Sequence, residues 1–75
     1  MRRTPRTPAQ KQLHADAVAY ARAANAWTAA ALRHTAAGAP VDAWDARTLA
    51  SSYRQRLRLV LHASQNVTIS DRMHA

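Results

Sequence analysis

Four histidines, four aspartates and a scatter of Ser and Thr are the side chains in this sequence best suited to bind a metal or take part in acid–base or nucleophilic chemistry. His14, His34, His62 and His74 never stand four apart, the spacing that sets two imidazoles on one helix face to share a metal ion. His14 and Asp16 are two residues apart and point to different sides of any helix. Ser70, Asp71 and His74 contain the residue types of a nucleophile, its orienting acid and its base, but they share one short segment with nothing around it to exclude water. A single glycine cannot build a phosphate-cradling loop, and without cysteine there is neither a disulfide nor a thiolate site. Asn66-Val67-Thr68 matches the glycosylation triplet, which has meaning only in a secreted chain. The expectation is a protein that is not an enzyme and that uses no metal or cofactor.

Charge is the stronger signal. Eleven Lys and Arg face four acids, none of them Glu, for a formal net charge of +7. Such a surface attracts polyanions: nucleic acid or an acidic membrane face. Arg2, Arg3 and Arg6 stand in a stretch, residues 1–8, where Pro5 and Pro8 oppose a helix, and the reading is a flexible basic arm. Lys11, Arg22 and Arg33 recur every 11 residues and hold one line along a helix. Arg47, Arg54 and Arg58 fall within about 40° of one another at 100° per residue, with Arg56 on the opposite flank.

Helices must position these groups. Residues 9–37 contain neither Gly nor Pro and are dominated by Ala, the strongest helix former, so a long first helix is predicted there. Gly38 suits a left-handed stop, and Pro40 is expected to block continuation. Asp42 is the expected cap of a second helix spanning about 43–64, with Asp45 favouring its positive end. Residues 65–75, which include the β-branched Val67, Thr68 and Ile69, are expected to form a short irregular tail.

In the first helix, Leu13, Ala17, Tyr20, Ala24, Trp27 and Ala31 alternate spacings of four and three and form a packing seam. Ala46, Leu49, Ala50, Tyr53, Leu57, Val60 and Leu61 form the matching stripe on the second. The fold class is therefore all-α, an antiparallel two-helix hairpin, and folding at Ala39 and Pro40 is expected to set Trp27 beside Tyr53. The open end should gather Arg2, Arg3, Arg6, Lys11, Arg54, Arg56 and Arg58 as a nucleic-acid-binding group.

Seventy-five residues bury too little to be comfortable alone. Val18 and Leu32 on the first helix, and Trp44 and Leu59 on the second, lie off the seams and are the expected interface of a homodimer, or higher even oligomer, closing a four-helix bundle. The leading functional expectation is a small, basic, self-associating helical protein that contacts nucleic-acid backbone without strong sequence preference. Nothing in it matches a helix-turn-helix or a basic zipper, and no dense row of base-reading side chains occurs. The alternative is a protein-binding adaptor or inhibitor, such as an accessory protein of a phage or mobile element, docking on an acidic host protein. The alanine-rich stripes and the lack of a roughly 20-residue apolar run argue against a membrane role, and a cytoplasmic setting is expected.

Overall fold

The computed structural model of the chain describes residues 6–74, with side chains to residue 66. Two helices account for nearly all of it: α1, Pro8–Ala36, and α2, Pro40–His74, packed along their length as an antiparallel hairpin.

The start of α1 is built by Thr7 and Gln10. The Thr7 hydroxyl accepts from the Gln10 backbone N–H at 3.2 Å, and the Gln10 side-chain oxygen accepts from the Thr7 N–H at 2.9 Å, a reciprocal capping box. Pro8 takes the first helical position, where its missing N–H would have lacked a partner anyway. Thr7 and Pro8, read from the sequence as part of an extended arm, are instead the cap and first residue of α1. Residues 1–5, with Arg2 and Arg3, lie outside the described residues.

The link between the helices is Ala37-Gly38-Ala39, three residues where the expected helix bounds left 38–42. Gly38 adopts φ +72°, the left-handed conformation, with open space where a Cβ would stand. That reversal lets the Gly38 N–H reach the Thr35 carbonyl at 3.1 Å and the Ala39 N–H reach the His34 carbonyl at 2.9 Å, the paired closing bonds of a Schellman turn. Pro40 does not block the second helix but opens it, for the same reason that Pro8 opens the first. Asp42 therefore sits inside the first turn of α2, not ahead of it.

The far boundary also differs. The segment expected to be irregular continues α2 to His74. Val67, Thr68 and Ile69 each disfavour a helix by only about half a kcal/mol, and extending an established helix needs no new nucleation.

Alanine makes the core. Ala24 and Ala31 of α1 and Ala43, Ala46 and Ala50 of α2 are buried to 4% exposure or less, while Trp27 and Leu49 remain more than a third exposed. Because a methyl group is all that stands between the backbones, the helices approach closely and the larger seam residues are displaced to the edges of the contact. Tyr53 pairs its ring with Tyr20, centroids 6.2 Å apart, and not with the ring of Trp27.

The result is a rod with extents of 56 × 20 × 17 Å and a radius of gyration of 16.9 Å, against about 11 Å for a compact chain of this length. Its accessible surface is 6151 Å², roughly a third above the ~4,600 Å² of a compact 8.3-kDa monomer.

Candidate nucleic-acid interface

The spacings of seven and four that join Arg47 to Arg54 and Arg54 to Arg58 leave all three on one edge of α2, between the seam and the outer surface. All are exposed. Arg54 is also tied to the other helix: its guanidinium donates to the Thr28 hydroxyl at 2.5 Å, and that hydroxyl donates to the Ala24 carbonyl at 2.8 Å. This relay fixes the stem of Arg54 and leaves most of its donors facing water. Arg56, on the opposite edge, lies over the Tyr53 ring with its guanidinium carbon 5.1 Å from the centroid, a cation–π arrangement.

These arginines do not gather at the open end. Because α2 continues to His74, Arg58 lies 16 residues from its last residue, about 24 Å at 1.5 Å per residue, and the Arg54–Arg58 stretch occupies the middle of the helix. The positive charge forms rails along the rod instead of a pole. Arg6 lines an open groove between the helices with Leu13, His14, Val60, Leu61 and Ser64. Lys11 is exposed near the start of α1 and begins a second line with Arg22 and Arg33, both exposed as well. Arg2 and Arg3 lie outside the described residues. Asp42 and Asp45 sit near the turn as expected, and Asp16 accepts from the Gln12 amide at 2.8 Å.

Of the apolar groups assigned to an interface, three are well exposed: Leu32 at 68%, Trp44 at 62% and Leu59 at 65%. Val18 is half-buried on α1. Sequence reasoning passed over Val41, which at 72% is the most exposed large apolar residue of the described chain; its place beside Pro40 suggested a loop rather than a helix face. It also passed over Thr28 as the partner of Arg54. The two are 26 residues apart, and the sequence carries no local signal of their contact.

A second concavity lies on the outer side of α2, lined by Trp44, Arg47, Thr48, Ser51, Ser52 and Gln55. Thr48, Ser51 and Ser52, the lining residues between Trp44 and Gln55 other than Arg47, are all short. Among the described residues no cluster of three or more His or Asp is placed to hold a metal ion, and no polar or charged side chain is buried. The described surface thus offers guanidinium edges and uncharged faces, groups that bind phosphate and apolar surface respectively.

Comparison with known protein families, with curated proteins and with solved structures finds no match to this chain. Among the described residues, neither helix is long and apolar enough to cross a membrane.

Proposed function

We propose that this protein is a non-enzymatic, self-associating helical hairpin that binds the phosphate backbone of nucleic acid without strong sequence preference. The observation that carries the reading is the exposed edge of Arg47, Arg54 and Arg58 on a continuous helix of a chain with net charge +7. Guanidinium groups on a rigid edge reach phosphates with little ordering cost. Spaced by a turn or two of helix, they do not converge on a single base pair, so they favour backbone contact over base readout.

Neutralising about four to six phosphates should make the binding constant for duplex DNA or RNA fall with salt at a log-log slope of roughly −3 to −5, whatever the base sequence. Replacing Arg47 and Arg58 together by Gln should lower that slope by about two. An absence of binding at about 50 mM salt, or a slope indifferent to these arginines, would sink the reading.

The exposure of Leu32, Val41, Trp44 and Leu59 supports a second reading, a protein-binding adaptor or inhibitor whose arginines steer it toward an acidic partner. Pull-down from lysate with and without nuclease separates the two. Partners lost after nuclease favour nucleic acid, and salt-resistant capture of one protein favours the adaptor.

A further inference from the structure

The side of α2 turned away from α1 is uncharged. At 100° per residue, Trp44, Thr48, Ser51, Ser52, Gln55 and Leu59 lie within about 50° of one line, and between Val41 and His62 no charged residue falls within that sector. A solvated face of a protein with fifteen charged side chains would ordinarily carry several. Thr48 reduces the polarity further, because its hydroxyl donates to the Trp44 carbonyl of its own helix at 2.9 Å.

The order of residues along this face is self-complementary. Trp44 and Leu59 stand equally far from the point between Ser51 and Ser52, as do Thr48 and Gln55. A two-fold axis at that point sets Trp44 against the partner's Leu59, Thr48 against the partner's Gln55, and Ser51 against the partner's Ser52. Small residues then meet at the crossing, and the large apolar ones fill the recess beside Trp44 from either end. The excess surface of the hairpin, on the order of 1,500 Å² per chain, is more than the roughly 800 Å² that each partner of a standard two-fold interface removes from water.

Charge selects the antiparallel arrangement. Two-fold antiparallel packing brings like edges of the two helices together. On one edge, Arg56 comes within two residue levels, about 3 Å along the axis, of the partner's Asp45. A parallel arrangement would instead turn Arg56 toward the partner's Arg54 and Arg58. On the other edge, Arg47, Arg54 and Arg58 join their three equivalents in a row of six over about 20 Å. One strand of duplex nucleic acid presents about six phosphates over that length. The row is self-repelling in the free dimer and is relieved by a polyanion, so each association strengthens the other.

We infer that a second copy of this chain docks antiparallel on the outer face of α2, with Asp45 paired to the partner's Arg56, and that the shared six-arginine row is the phosphate-binding surface. The inference rests on the self-association and nucleic-acid binding proposed above and gives both one geometry.

Sedimentation of the full chain, alone and with a duplex of about 24 base pairs, tests it together with two sets of variants. Asp45→Arg or Arg56→Asp alone should raise the dimer dissociation constant about tenfold, and the double swap should return it to within about threefold of the parent. Saturating duplex should tighten the dimer at least about tenfold. Because the chain has no cysteine, Ser52→Cys should give a disulfide-linked dimer on oxidation, while Ala29→Cys on the outer face of α1 should not. Cross-linking through Ala29→Cys and not Ser52→Cys would overturn this geometry and leave self-association standing. A monomer that still binds duplex would remove the dimer alone. A dimer cross-linked through Ser52→Cys that ignores duplex at about 50 mM salt would keep the face and remove the shared phosphate site.

Discussion

The rings of Tyr20 and Tyr53 meet across the hairpin at 6.2 Å between centroids, inclined by 36°, and they are the one aromatic pair among the described residues. The pair lies beside a core made of alanine methyl groups. Tyr53→Ala should lower the unfolding free energy by about 2 kcal/mol, below the full cost for a buried aromatic because both residues are half-buried. A double-mutant cycle with Tyr20→Ala should return a coupling of about 0.5–1.5 kcal/mol. Urea titration followed by helix circular dichroism measures both. Trp27→Ala, with its ring partly in water, should cost less, about 1–2 kcal/mol.

Ala50 is fully buried in the helix contact. Enlarging it to leucine should force the helices apart and destabilise the hairpin by about 1–3 kcal/mol, although leucine is more apolar. Trp44→Ala on the outer face should change the stability of the monomer by no more than about 0.5 kcal/mol. If Ala50→Leu instead raises the urea midpoint, the alanine packing described above is wrong.

Gly38→Ala meets no steric obstacle beyond its own backbone. Holding alanine at φ +72° should cost about 1–2 kcal/mol, visible as a melting temperature lower by several degrees with unchanged helix content.

The capping box divides two truncations that look alike in sequence. Removing residues 1–5 should leave the helix signal intact and lower the salt slope of duplex binding by about two, for Arg2 and Arg3. Removing residues 1–8 also deletes Thr7 and should cost about 1 kcal/mol of helix stability. Equal stability of the two truncated chains would show that the cap contributes nothing.

Thr28→Val keeps the shape of the threonine and removes the acceptor of Arg54. A cycle with Arg54→Met should show a coupling of about 0.5–1 kcal/mol, modest because the pair is exposed to water.

The hairpin was legible in the sequence because its causes are local. Alanine runs without Gly or Pro make helices wherever they stand, Gly38 reverses the chain because it alone has no Cβ, and spacings of three and four place Ala24, Ala31, Ala46 and Ala50 on the inner faces whatever the partner. The exposure of Leu32, Trp44 and Leu59 was equally readable, since residues opposite a seam have nowhere to be buried. Three matters depended on the assembled structure. Proline can end a helix or begin one, and only the Schellman bonds of Gly38 and Ala39 make Pro40 a beginning. The β-branched residues after Ser64 are weak helix formers, and their outcome depended on the helix already standing before them, which carried α2 to His74 and left the arginines at mid-length. The pairing of Arg54 with Thr28 joins residues that meet only once two helices lie side by side, a distance in space that no periodicity within either helix encodes.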